Sequence, residues 1–220
     1  MRILHSSDLH GRYKRLFAVT EPFDVWVDTG DFIPNRGRVP RTAYTIDPGE
    51  ERRYQVRWFA MKRLPGRIAA WLGGRPAVVM PGNHDFVNLA MILQRAGVDV
   101  RQPEPDGIDH AGLRWAGFRE IPAMSGEWPG ETHDFTDLLE RVVRATPGVL
   151  ITHAPPEGVL DGVHDYGIPG LGDLLRRRMP DTHTHLFGHE HDHGGQHARV
   201  AHVDCYNGAE TVRIIEIPTP

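Results

Sequence analysis

The chain has 220 residues, long enough for one domain with a sizeable core and short for two. Its 25 Lys plus Arg against 29 Asp plus Glu leave a formal charge of −4, so there is no global attraction for polyanionic nucleic acid. No apolar run approaches the roughly 20 residues of a membrane span, the opening Met1 to Asp8 lacks the apolar stretch of a secretory leader, and the lone Cys205 excludes an intrachain disulfide or a thiolate zinc cage, so a reducing cytoplasm is the expected setting.

Arg2-Ile3-Leu4-His5 opens the chain with strand character, and Asp24-Val25-Trp26-Val27-Asp28 comes next as a second strand. Residues 34–49, with Pro34, Pro40, Pro48, Gly37 and Gly49, read as a surface loop. Glu50 to Leu72 is a long amphipathic helical stretch, with a break expected at Pro65-Gly66. Ala77-Val78-Val79-Met80 is the third strand, and Asn88 to Ala96 a short helix. Gly112 to Phe118 is a further strand, and Phe135 to Ala145 places Leu138, Leu139, Val142 and Val143 on one helical face. Val149-Leu150-Ile151-Thr152 is the fourth apolar strand, Leu171 to Met179 a short helix, and His185-Leu186-Phe187 the fifth apolar strand. Arg199 to Asp204 and Thr211 to Ile217, like Gly112 to Phe118, look like turn-joined antiparallel strands. The pattern predicts one α/β domain over residues 1–220, with a mixed sheet or two packed sheets.

The chain carries 14 histidines, seven of them between His183 and His202. Their meaning comes from the residues just past the ends of the five apolar strands. Asp8-Leu9-His10 comes after the first, Gly30-Asp31 after the second and Gly82-Asn83-His84-Asp85 after the third. His153 comes after the fourth and Gly188-His189-Glu190-His191 after the fifth. Sites in α/β sheets form beyond the carboxyl ends of strands, so five distant segments are expected to meet at one edge of one sheet. Asp8, His10, Asp31, Asn83, His153, His189 and His191 offer only nitrogen and oxygen donors, a set for borderline to hard divalent ions. Seven ligands are too many for one catalytic ion and suit two, bridged by a carboxylate.

In this order the motifs resemble the calcineurin-like metallophosphoesterase family, whose pattern is Asp-x-His, Gly-Asp-x-x-Asp, Gly-Asn-His-Asp/Glu, a single His, then Gly-His-x-His. The likeness runs from Asp8 to His191. It departs at Gly30-Asp31-Phe32-Ile33-Pro34, where the later Asp is missing. Thr152-His153-Ala154-Pro155-Pro156 is similar to a compact branch with a Thr-His-x-Pro-Pro signature. The resemblance implies a four-layer α/β/β/α sandwich and two divalent ions per chain, with Mn²⁺ expected first and Fe, Zn²⁺, Ni²⁺, Co²⁺ or Mg²⁺ as alternatives. Carried over by position, Asp8, His10, Asp31 and His191 would hold one ion. Asp31, Asn83, His153 and His189 would hold the other. His84 would face the leaving-group oxygen and Asp85 would orient its ring. Such a centre hydrolyses phosphodiesters or phosphomonoesters by attack of a metal-bridging hydroxide.

A small, nucleotide-like phosphate ester is the expected substrate. A nuclease is the alternative, which a steep salt dependence of oligonucleotide binding would favour. A non-catalytic metal-binding scaffold ranks below both. Glu190 is expected to point to solvent, His5 to stand behind the site, and His183, His185, His193, His197 and His202 to be packed or surface residues. All five tryptophans, Trp115 and Trp128 included, are expected in the core. Residues 157–170, with His164, Asp165 and Tyr166, could form a substrate rim, and Arg12, Arg36 and Arg38 could reach a phosphate.

Overall fold

A computed structural model describes residues 1–36, 46–125, 127–162 and 166–217. The chain runs β1 (Arg2–Ser6), α1 (Lys14–Phe17), β2 (Val25–Asp28), α2 (Pro48–Lys62), α3 (Leu64–Leu72), β3 (Ala77–Val79), α4 (Leu89–Arg95) and β4 (Val100–Arg101). It continues through β5 (Ile108–His110), β6 (Leu113–Phe118), β7 (Ile121–Pro122), β8 (Glu131–Thr132), α5 (Thr136–Ala145), β9 (Val149–Thr152) and α6 (Leu171–Arg177). The last elements are β10 (Thr184–Phe187), β11 (His197–Val200), β12 (Val203–Asn207) and β13 (Val212–Glu216).

Two large mixed sheets result. One has the order β13-β1-β2-β3-β4, the other β11-β12-β10-β9-β6-β5. In the first, β1 to β4 run parallel and β13 closes the edge antiparallel to β1. In the second, β6, β9, β10 and β12 run parallel, with antiparallel β5 and β11 at the edges. The five strands that precede the motifs are therefore split, β1 to β3 in one sheet and β9 and β10 in the other. This corrects the expectation of a single sheet edge: each strand keeps its motif, but periodicity does not say which strands pair.

Side-chain alternation assigns the faces. In the first sheet, Leu4 and Trp26 turn toward the helices and pack with Leu16, Trp58, Leu64 and Ile68. Their neighbours Ile3, Val25 and Val27 turn the other way and meet Trp115, Val149, Ile151 and Leu186 of the second sheet. The far face of the second sheet, through Phe118, Leu150 and Phe187, packs on Val142 of α5 and on Leu171 and Leu175 of α6. The order helices, sheet, sheet, helices is the one a four-layer sandwich requires.

Local chemistry sets the helix ends near the site. Asp47 caps α2, accepting from the backbone N–H groups of Gly49 (2.9 Å) and Glu50 (3.0 Å), with Pro48 in the first turn. The break between α2 and α3 falls at Arg63, which is left-handed (φ 47°), earlier than Pro65-Gly66. Pro65 fits the first turn of α3, where its missing N–H costs nothing. A second correction concerns Arg199 to Asp204. They are not one strand but the close of a hairpin: Arg199 and Val200 end β11, Ala201 (φ 54°) and His202 make the turn, and Val203 and Asp204 open β12, paired back on Val200 and Arg199.

Candidate metal centre

All five motif segments converge where the two sheets face each other at the carboxyl ends of their parallel strands. Asp31 is the hub. Its Oδ2 lies 3.4 Å from His153 Nε2, 3.9 Å from His84 Nε2 and 4.0 Å from His10 Nε2. Its Oδ1 accepts the His84 backbone N–H at 2.7 Å. Asp8 is arranged in the same way. Its Oδ2 accepts from Ser7 Oγ (2.6 Å) and the His189 backbone N–H (2.9 Å), leaving Oδ1 to face His191 Nε2 at 3.2 Å. Each carboxylate thus has one oxygen fixed by the fold and one turned to the imidazoles.

The histidines are aimed too. His153 places Nδ1 2.8 Å from the Thr29 carbonyl, so Nδ1 carries the hydrogen and Nε2 faces the centre, 3.0 Å from Asn83 Oδ1. His189 stacks edge-on against His153 (5.0 Å), and its buried Nε2 has no hydrogen-bond partner. An unpartnered buried nitrogen beside the Asp8 and Asp31 carboxylates fits a metal ligand. Three donor triplets each fall within 4.8 Å of one another: Asp8, His10 and His191; His10, Asp31 and His84; Asp8, Asp31 and His153. The donor set fits divalent ions.

The electrostatics agree. Burial pushes Asp8 up, but the His191 hydrogen bond and the His153 charge outweigh it and hold the carboxyl at about 2. Burial also opposes ionisation of Asp31, and the charges of His153 and His84 outweigh it, so that carboxyl lies well below the usual range. Burial depresses His153, yet Asp31 raises it to about 9. The carboxylates are thus favoured in their ionised form beside the imidazoles, and a cation held by these donors would compete with protons for them.

Close backbone approach makes the convergence possible. Asp8, His10, Asp31 and His189 all adopt left-handed φ, at 53°, 43°, 54° and 68°. A side chain on Gly82 would overlap the Asp31 carboxylate, and one on Gly188 would overlap Ser7 and Asp8. The carboxylate of Asp85 braces this packing. It accepts the backbone N–H groups of Asp31 (2.8 Å), Gly82 (3.0 Å) and Ile33 (3.2 Å). Burial, then Asp31, pushes its carboxyl up to about 7.

That corrects the role expected for Asp85, because its oxygens are taken by backbone. The ring of His84 is held instead by Asn35, whose Oδ1 meets His84 Nδ1. Sequence reading missed Asn35, although it stands one residue past the vacated Asp position of the second motif. It also misplaced Trp128, which lies over His84 with ring centroids 4.1 Å apart, while Trp115 is in the core as expected. Glu190 is buried, not solvent-facing; its carboxylate accepts the Asp192 backbone N–H at 3.0 Å and lies against Gly162. His5 is buried behind the site, 3.1 Å from Thr29 Oγ1. Tyr166 stands edge-on to His189 at 5.6 Å. Arg119, also overlooked, donates to the carbonyls of Gly82 (2.6 Å) and Asp85 (3.3 Å). Arg12 pairs with Glu210 at 2.5 Å and Arg36 with Glu50 at 3.0 Å. Arg38, His164, Asp165 and most of residues 34–49 lie outside the described residues.

Glu210 reaches the site from the far end of the chain. Besides Arg12, its carboxylate lies 3.6 Å from His191 Nδ1, its carbonyl accepts from Arg15, and Ser7 bridges to the adjacent Ala209. Among the described residues, no helix is long and apolar enough to cross a membrane. A family model described as calcineurin-like phosphoesterase matches residues 1–193. A comparison with curated proteins returns no match.

Proposed function

The chain belongs to the calcineurin-like phosphoesterase family, and from that premise we propose that it is one catalytic domain hydrolysing small, nucleotide-like phosphate esters with two divalent cations. Asp8, His10, Asp31 and His191 would hold one cation. Asp31, Asn83, His153 and His189 would hold the second. The observation that carries this reading is Asp31 Oδ2, a single buried oxygen with three imidazole nitrogens within 4.0 Å. An oxygen so placed can serve two ions at once. The all-nitrogen-and-oxygen donor set is compatible with Mn²⁺ and its first-row neighbours.

Bound cations would supply Lewis acidity and an activated water. The chain's own residues do the rest. Asp8 and Asp31 present one free oxygen each, fixed by hydrogen bonds to the other. His84 directs Nε2 into the centre and is the proton donor to the departing alkoxide. Burial lowers its pKa, and the charge of Asp31 opposes that fall and favours the protonated ring that a donor needs. Trp128 covers one face of His84 and shields that transfer from water.

The test is to strip the protein of metal, restore Mn²⁺, and follow a chromogenic phosphodiester and its monoester in parallel, with a panel of cyclic and linear nucleotides. Asp31→Asn is the control, because Asn tolerates the left-handed backbone at this position better than Ala does. Metal-dependent turnover that vanishes in Asp31→Asn, together with bound metal, is the expected result. Two ions retained in Asp31→Asn would end its bridging assignment. Two bound ions in the wild type with no turnover of any ester would favour the scaffold reading.

A further inference from the structure

His84 must present Nε2 to the leaving group, and something must hold its ring while it does so. Asp85, the neighbour that sequence reading assigns to this task, has its carboxylate spent on three backbone N–H groups. Asn35 is in place instead. Its Oδ1 meets His84 Nδ1, and its Nδ2 points to Glu51 Oε2 (3.3 Å) and the His84 carbonyl (3.4 Å). Both of those are acceptors, so the amide is fixed with its oxygen toward the ring. An amide oxygen can only accept, so His84 Nδ1 carries a hydrogen and Nε2 is the atom left for chemistry.

Glu51 is buried on α2 and also accepts the Arg36 backbone N–H at 3.0 Å. One helical turn later, Gln55 grips the same loop. It donates to the His84 carbonyl (2.7 Å) and accepts the Phe86 backbone N–H (2.8 Å). The first two turns of α2 thus form a fixed wall behind His84, and Asn35 is the link from that wall to the ring.

We propose that Asn35, locked by Glu51, is a positioning residue that sets the tautomer and aim of His84, a carboxylate–amide–imidazole relay. The proposal rests on the leaving-group role of His84 put forward above. Its test uses the metal-loaded full chain and aryl phosphate esters with leaving phenols of graded acidity. Asn35→Leu should lower kcat about tenfold to a hundredfold, the cost of a misaimed donor, with KM and metal content near wild type. The loss should be greatest for the poorest leaving groups, as in His84→Ala. In a His84→Ala background, Asn35→Leu should cost nothing further, since the pair acts as a unit.

Two further readouts keep the idea falsifiable if Asn35→Leu folds poorly. Asn35→Asp alone sets two carboxylates against each other and should be slow. Combined with Glu51→Gln, which exchanges amide and carboxylate, it should recover most of the rate. Nitrogen-15 spectra of the histidines should show the Nδ1–H form of His84 in the wild type and its loss in Asn35→Leu. Wild-type kcat in Asn35→Leu beside a slow His84→Ala would refute the relay and leave the function intact. Undiminished kcat in His84→Ala would overturn the leaving-group role and the relay with it. Loss of metal in Asn35→Leu would make Asn35 a prop of the metal site, and the proposal would be wrong.

Discussion

Replacing His185 by Gln should make the protein markedly less sensitive to acid. His185 is fully buried on β10. Its Nε2 lies 2.8 Å from Thr152 Oγ1, and that hydroxyl donates its own hydrogen to the Ala154 carbonyl at 2.6 Å. The hydroxyl can therefore only accept from His185, so Nε2 carries the hydrogen, and the buried Nδ1 has no partner. A second proton would have to sit on Nδ1 in an unsolvated place, and burial accordingly lowers the pKa from 6.5 to about 3. In the unfolded chain the ring titrates near 6.5. Between pH 7 and pH 5 the unfolded state gains this proton and the folded state does not, so stability falls as pH falls. The loss from this one group is about 2 kcal/mol over that interval, continuing toward pH 3. Gln keeps a donor for Thr152 and has nothing to titrate. Denaturant unfolding of wild type and His185→Gln at pH 7 and pH 5 isolates the effect, because every other titrating group cancels in the difference. The wild type should lose about 2 kcal/mol more than the variant. Equal losses would mean that His185 takes up its proton in the folded state, and the account of its surroundings would fail.

Gly82→Ala forces a methyl group into the Asp31 carboxylate and backbone, which should cost about 1–3 kcal/mol and lower metal content; an unchanged denaturation midpoint with full metal content would contradict the tight approach. Trp128→Ala uncovers His84 and should reduce kcat/KM for an aryl phosphodiester about threefold to tenfold, the worth of one aromatic contact. Trp128→Phe should keep most of it, and a wild-type value in the Ala variant would place the substrate path elsewhere.

The sequence makes the donors of the centre legible and leaves their supports largely hidden. Asp8, Asp31, Asn83 and the histidines are visible because polar, metal-capable residues directly after apolar strands have little other reason to recur. Five strand ends are legible for the same reason. The division of those strands between two sheets is not, since pairing depends on crossovers that no local pattern records. Asn35 and Arg119 are invisible for a related reason: they reach His84 and the Gly82 carbonyl across 49 and 37 residues. Trp128 looks like core because Trp usually is, and only the path of residues 119–131 brings it over the site. Glu190 looks solvent-facing because alternation between two ligands suggests it, yet the chain leaves β10 and enters a tight turn there, which folds the carboxylate inward.

Glu210 and Ala209 give the chain a temporal order as well as a spatial one. Asp8 and His10 leave the ribosome before the residues that pin their loop, which are made some 200 residues later. Until β13 is added, β1 is an open edge, a template for pairing with a neighbour. A growing or truncated chain would therefore carry the first ligands without the clasp that fixes them. Such intermediates should hold metal loosely and cling to chaperones, and tight metal capture would arrive late, as a sign that synthesis of the clasp is complete.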